Sequence, residues 1–198
     1  MIDDPRNQLF REYVRLLRGL QPKVFVMENV SGMVKGKMKL VFADILRELK
    51  ASGYQVSARL LNAMYFNVPQ SRERMIFVGV RDDLGIAPSH PKAESAEIGI
   101  SGIICDVKAT RSMKINPWIR HPRAAATVTK TNSDYQFLSM AGIRKPVVSE
   151  IATLGSYPSS FRWGSDAWAR IGNSVPPLFM RSIAWHIRRE ILDKTHSL

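Results

Sequence analysis

Val24-Phe25-Val26-Met27-Glu28-Asn29-Val30 is an apolar run that ends in a carboxylate and an amide. Its first four residues are uninterrupted and apolar, which reads as a short buried strand, Val24–Met27, with Glu28 at its C-terminal end. Upstream, residues 5–20 read as an amphipathic helix. Asp4 can cap it, Pro5 suits its first turn, and Leu9, Tyr13, Leu16, Leu17 and Leu20 form an apolar stripe. Pro22 closes that segment. Downstream, residues 31–37 are a Gly- and Lys-rich loop, and residues 38–51 predict a second helix with Val41, Ile45 and Leu49 on one face. Tyr54–Leu61 and Met75–Val80 then read as strands. Helix, strand, helix, strand, loop, strand over the first 81 residues is an α/β pattern.

Beyond Arg81 the composition changes. Gly, Pro, Ser and Ala dominate residues 82–102, and helical periodicity stays weak to about residue 147. This stretch reads as a small irregular lobe, with short strands expected at Ile103–Val107 and Ala126–Thr129. A short helix over 148–155 and a clear one from Pro177, where Phe179, Ile183, Ile187 and Ile191 repeat every four residues, close the chain. The expected division is therefore 1–81, a lobe over 82–147, and a return over 148–198.

The 198 residues carry 29 Lys and Arg against 17 Asp and Glu, a net charge of +12. Hydrophobic residues make up 45%, enough for a packed core. From Val107 to Val147 eight residues are basic (Lys108, Arg111, Lys114, Arg120, Arg123, Lys130, Arg144 and Lys145) and only Asp134 is acidic. Lys35, Lys37 and Lys39 form a second cluster. Such concentrations suit phosphate contacts, and equally a solvated basic face; charge alone leaves both readings open. The single cysteine, Cys105, rules out an intramolecular disulfide and a thiolate zinc cluster, and fits a reducing cytoplasm. No metal is expected. No apolar run reaches membrane-spanning length.

Three motifs carry chemistry. Glu28 sits where α/β sheets bind ligands, at the C-terminal end of a strand, and a carboxyl there can donate a hydrogen bond or proton to a ring nitrogen. It also reads as an ordinary exposed glutamate in a turn. In Val68-Pro69-Gln70-Ser71-Arg72-Glu73-Arg74-Met75-Ile76-Phe77-Val78-Gly79, Arg72 and Arg74 fall on the same side of an extended chain, and a guanidinium fork grips a carbonyl or phosphate. The plainer reading is a charged strand entry. In Gly172-Asn173-Ser174-Val175-Pro176-Pro177, short polar side chains and a glycine can meet a small ligand, or simply cap the last helix.

In this order and spacing, the three motifs resemble the later motifs of DNA cytosine-5 methyltransferases. Weaker matches fill the gaps: Asp4-Pro5-Arg6-Asn7-Gln8-Leu9-Phe10, Leu61-Asn62-Ala63, and Gly155-Ser156-Tyr157-Pro158. The resemblance spans roughly residues 4–190 and is loose over 82–146. It implies part of a Rossmann-like, S-adenosylmethionine-dependent methyltransferase sheet, its later strands and helices only, beside a DNA-facing lobe. It implies that Glu28 meets N3 of a flipped-out cytosine. Asn29, Val30 and Gln70 shape that pocket, and Arg74, supported by Arg72, orients the base. Asn173, Ser174 and Val175, with Leu9, face S-adenosylmethionine. Lys35, Lys37, Lys39, Arg111, Arg120 and Arg123 are the expected contacts to double-stranded DNA.

The departures are equally specific. The family's Phe-x-Gly-x-Gly cofactor loop and its Pro-Cys-Gln nucleophile do not occur in these 198 residues. Cys105 follows the Arg motif and lacks the preceding proline. Met1 falls where a full enzyme would have finished its catalytic loop, and the segment before Arg120-His121-Pro122 is short for a target-recognition domain. The expectation is a bacterial or phage-type, cytoplasmic restriction–modification methyltransferase portion that is inactive alone. It would need a complementing front portion, or self-associate, because Val24–Met27 would otherwise leave an open sheet edge. A non-catalytic DNA-binding fragment, and a relative that methylates RNA, are the competing readings.

Overall fold

A computed structural model describes residues 6–34, 36, 38–99, 108–110, 123–131, 136–139 and 142–196. The chain divides into two compact units. The first takes in the described residues of Met1–Leu61, Glu73–Pro91 and Ala184–Leu198, and the second those of Asn62–Arg72 and Lys92–Ile183.

The first unit opens with α1 (Arg6–Leu20), β1 (Val24–Val30), a 3-10 turn (Ser31–Val34), α2 (Met38–Lys50), β2 (Tyr54–Asn62) and β3 (Glu73–Arg81). The sheet order is β1-β3-β2, so β3 is the middle strand and β1 stands at one end. β1 and β3 are antiparallel, with Phe25 opposite Gly79, Met27 opposite Phe77 and Val30 opposite Arg74. The N–H of Arg81 donates to the carbonyl of Lys23 at 3.0 Å. Hydrogen-bonded pairs alternate along an antiparallel ladder. Phe25, Met27 and Asn29 therefore exchange bonds with β3, while Val24, Val26, Glu28 and Val30 turn their N–H and C=O groups away from it. Two of those outward groups have local partners: Tyr13 Oη donates to Val26 O at 3.1 Å, and Val30 N donates to Asn29 Oδ1 at 2.8 Å.

Side chains alternate across the strand in the same rhythm. Phe25, Met75 and Phe77 pack with Val14 and Leu17 of α1 and Ile45 and Leu49 of α2 into one buried cluster. The buried helix face overlaps the expected stripe only in part, at Leu17 and at Tyr13, which packs against the cluster. Val14 and Leu17 are buried, whereas Leu9, Leu16 and Leu20 are 68%, 49% and 75% exposed. Sequence periodicity cannot tell which of two apolar faces meets the sheet when both are present. β1 also runs farther than Val24–Met27, because its pairing continues through Val30, and so Glu28 lies inside the ladder rather than beyond it.

The second unit contains a three-stranded antiparallel sheet, β4 (Lys108–Thr110), β5 (Gln136–Ser139) and β6 (Gly142–Arg144), in that order, followed by α3 (Val148–Leu154) and α4 (Ala167–Asn173). Its core holds Ala125, Val128, Phe137, Ile151, Leu154 and Ile171. The strand expected at Ala126–Thr129 is irregular backbone with a single bridge, Gln70 to Ala125, at its start. The strand expected at Ile103–Val107 lies outside the described residues. α5 (Pro177–Ile187) starts in the second unit at the expected proline and ends in the first, where a π-helical turn (Arg188–Leu192) follows. Among the described residues, no helix is long and apolar enough to cross a membrane.

Two consequences are measurable. A Cβ on Gly79 would run into the Phe25 ring opposite it. Gly79→Ala should therefore lower unfolding stability by about 1–3 kcal/mol, and Phe25→Leu on top of it should recover part of that loss in denaturant titration. His90 is 8% exposed, its Nε2 lies 3.2 Å from Ser57 Oγ, and among the described residues its Nδ1 has no hydrogen-bond partner. Burial first, then the Arg59 charge, pushes its pKa down to about 4. The unfolded histidine titrates near ~6.5 and binds the proton more tightly. Stability should therefore fall as pH drops from about 6.5 to about 4, by roughly 2–3 kcal/mol. His90→Gln should flatten that part of the pH–stability curve.

Candidate functional site

In the first unit the ladder register brings the two charged motif residues together. Val30 faces Arg74 across the strands, and Glu28 is two residues from Val30 on the same face. Glu28 and Arg74 are thus diagonal neighbours, close enough for long side chains to meet. Arg74 Nε lies 2.6 Å from Glu28 Oε1, with side-chain exposures of 13% and 28%. Arg74 Nη1 also donates to the carbonyl of Glu73 at 2.8 Å, so the guanidinium is held at both ends. A planar cation fixed this way orients the carboxylate. Asn29 falls on the other face of β1, and Val30 is 56% exposed beside the pair.

The second unit uses the rest of the same motif differently. Arg72 precedes β3, so the two-residue alternation of a strand does not carry it to the side of Arg74. Its side chain is 1% exposed. Nη1 donates to the carbonyl of Val128 at 2.8 Å and Nη2 to that of Gly172 at 2.7 Å. Gln70, equally buried, donates to the carbonyl of Leu154 at 3.3 Å and accepts from Val128 N at 3.2 Å. The side chain of Asn62 receives the N–H of Arg72 at 3.0 Å and donates to Ser71 Oγ at 3.1 Å. These bonds strap the irregular segment 125–129 to the turn at Gly172. Trp168 adds a bond from Nε1 to the carbonyl of Thr129 at 3.0 Å. The fit is tight, because a Cβ on Gly172 would strike the Thr129 carbonyl group.

That turn ends α4, a helix absent from the sequence reading. Asn173, its last residue, is exposed, and Val175 is half-buried. Ser174 donates its hydroxyl to the carbonyl of Ile171 at 2.8 Å, closing the helix end. The N-terminus of α5 is served instead by Ser156, whose oxygen accepts from Leu178 N at 3.1 Å. Leu9 is exposed on α1. Of the expected DNA contacts, Lys39 and Arg123 are exposed, and Lys35, Lys37, Arg111 and Arg120 lie outside the described residues. Asn62, Trp168 and Thr127, whose hydroxyl donates to the carbonyl of Ser71 at 2.5 Å, were not singled out in sequence. Leu61-Asn62-Ala63 was visible as a weak match, but Ala126-Thr127-Val128-Thr129 has no periodicity to announce its role.

The structure separates Arg72 and Glu28 by what their loss costs. Arg72→Met leaves two buried carbonyls without donors and should cost about 3 kcal/mol or more. Arg72→Lys should recover only part, since a point charge cannot fork to both. Glu28→Gln, at a partly exposed pair, should change stability by less than about 1 kcal/mol. Denaturant titration of the three variants reads the order directly.

Known proteins similar to this chain are methyltransferases. A family model described as C-5 cytosine-specific DNA methylase matches residues 1–116. The Type II methyltransferase M.FnuDI of Fusobacterium nucleatum is 41% identical over 110 residues, 54% of this chain and 32% of that protein. M1.HphI of Haemophilus parahaemolyticus is 29% identical over 226 residues, 92% of this chain and 61% of that one. The chain thus spans less than two thirds of these curated relatives. Among solved structures, a DNA modification methyltransferase encoded within a prophage (E. coli) superposes with a TM-score of 0.68 at 18% identity, covering 96% of this chain and 76% of that chain. DNMT2 of Spodoptera frugiperda gives 0.63 at 15% identity, covering 94% and 71%. The fold is that of the methyltransferases, α/β with small sheets, and the chain belongs to the C-5 cytosine-specific DNA methylase family.

Proposed function

We propose that this chain supplies the base-holding part of a DNA cytosine-5 methyltransferase and transfers methyl only together with a front portion that brings the cofactor loop and the Pro-Cys nucleophile. The observation that carries this reading is the Glu28–Arg74 pair on one face of the β1–β3 ladder. Arg74 grips one carboxyl oxygen and leaves Oε2 to be presented to a ligand. A carboxyl presented to N3 of cytosine supports nucleophilic attack at C6, because a hydrogen bond or proton there draws electron density from the ring. Exposed Val30, beside the pair, is an apolar wall suited to a base face. Gln70 and Arg72 act through the backbone they hold rather than on the base.

On this reading residues 1–81 are the rear of the catalytic domain and its sheet the later part of a Rossmann-like one. Residues 82–147 are the DNA-facing lobe, and 148–198 return to the catalytic domain. S-adenosylmethionine, when bound, supplies a methyl group on a positively charged sulfur. The residues present fit one side of such a ligand: Asn173 offers an exposed amide, Ser174 an oxygen and Val175 an apolar surface. Extruding a base from a duplex costs a few kcal/mol of stacking. The exposed cations Lys39 and Arg123, with Lys35, Lys37, Arg111 and Arg120, are the groups to offset it through phosphate contacts. The setting is a bacterial or phage-infected cytoplasm.

The test is complementation on cytosine-containing duplex DNA. The chain alone should transfer no methyl. Mixing it with a polypeptide carrying the Phe-x-Gly-x-Gly loop and the Pro-Cys-Gln should give transfer to C5. Glu28→Gln should then lower the rate by about 10²-fold or more while leaving duplex binding unchanged. DNA binding should weaken steeply between low and high salt. A mixture that binds DNA and forms a complex, yet never methylates, would leave the non-catalytic DNA-binding reading.

A further inference from the structure

Two adjacent residues of the first unit tie its irregular segment 85–91 to two different elements. Ser89 and His90 lie between Pro88 and Pro91, whose rings restrict the backbone on either side. Ser89 Oγ is 2.8 Å from Nε2 of His186 on α5, and His90 Nε2 is 3.2 Å from Ser57 Oγ on β2. Both ties sit next to points where the chain leaves this unit. Pro91 is the last residue of its middle stretch, and Ala184, two residues before His186, is the first of its final one. The four side chains thus join β2, segment 85–91 and the end of α5. Neither the Phe25–Phe77 cluster nor the Glu28–Arg74 pair uses them.

These ties suit neutral rings. A protonated imidazole carries an N–H on both nitrogens. Nε2 of His90 has Ser57, but among the described residues buried Nδ1 has no partner, so the added charge would be buried with a donor unmet. The charges nearby have the wrong sign: Arg59 on β2 and His186 on α5 both oppose a proton on His90. His186 faces Glu190, which favours its charged form, and Lys194, which opposes it. Glu190 is already engaged, since its Oε2 accepts from Lys194 Nζ at 2.8 Å. Burial is the first cause that lowers the pKa of both histidines, to about 4 for His90. The geometry points to an acid-released latch: protonation of His90 and His186 detaches segment 85–91 from β2 and from the end of α5 while the β1-β3-β2 sheet stays folded. The sheet is spared because residues 85–91 pair with no strand and the cluster around Phe77 contains no histidine. The latch stands apart from the methyltransferase reading.

The open segment offers His90 to water, where it titrates near ~6.5. The latch is therefore fully closed above that pH and weakens as pH falls toward the lower value of the buried ring. His90 alone should raise the opening equilibrium about 30-fold between about pH 8 and about pH 5, with a limit of about 300-fold in stronger acid. The test is nuclear magnetic resonance on the whole chain. The His90 ring should titrate near about 4. Over the same range the amides of Ile86, Ala87, Ser89 and His90 should move toward unstructured positions, their open population read by relaxation dispersion. The amides of Phe77 and Val78 in β3 should keep theirs. His90→Gln keeps a donor for Ser57 without a titrating charge and should remove most of this pH dependence. Ser57→Ala should open the segment at every pH. His186→Gln should raise the pKa of His90, because one of the two charges that oppose it is gone. A His90 ring that titrates while segment 85–91 keeps its signals would overturn the latch. Loss of the Phe77 and Val78 signals together with those of the segment would mean global unfolding and overturn it too. An unmoved His90 titration in His186→Gln would overturn the pairing of the two rings.

Discussion

The register between β1 and β3 governs the first unit. One hydrogen bond, Arg81 N to Lys23 O, fixes which residues of β1 face the ladder and which face away. A shift by one residue would invert every side chain. Glu28 would leave the face it shares with Arg74, and Phe25 would leave the core it shares with Val14 and Leu49. The charged pair and the buried cluster are thus two results of the same pairing. Gly79 reinforces it, because only a residue without a side chain accommodates Phe25 opposite.

The second unit solves a different problem. Segment 125–129 makes a single bridge and no ladder of its own, so its polar backbone groups require partners from elsewhere. Gln70, Arg72, Asn62 and Trp168 supply or organise them. An arginine in this position gives what a lysine cannot, two donors in one plane aimed at two carbonyls on different segments. The motif Gln-x-Arg-x-Arg therefore mixes two kinds of work. Its first two members hold backbone in one unit, and its last meets a carboxylate in the other.

Long elements with one clear period were legible in the sequence. β2, β3, α2 and the start of α5 fall within a residue or two of their expected positions. α1 was legible as a helix and in part of its buried face, since Tyr13 and Leu17 of the expected stripe meet the core, but Phe10 and Val14 take the places expected of Leu9, Leu16 and Leu20. The end of β1 was missed because Glu28 and Asn29 look like turn residues, and only pairing across to Arg74 makes them strand. α4 is a single stretch of seven residues containing a glycine, too short for a periodic signal. For the site, residue types and order pointed to Glu28 and Arg74. That Arg72 serves carbonyls rather than a ligand depends on segments 56 and 100 residues away, which no local pattern encodes.

The bond from Trp168 to Thr129 carries one more implication. The indole is half-buried, packed against the core of its unit, and tied by Nε1 to the segment that Arg72 and Gln70 hold. Indole fluorescence responds to water at the ring and to the partner of its N–H. Any loosening of that strap would shift the emission of Trp168 to longer wavelength, which makes this side chain an optical gauge, already built into the protein, of whether the strap is closed.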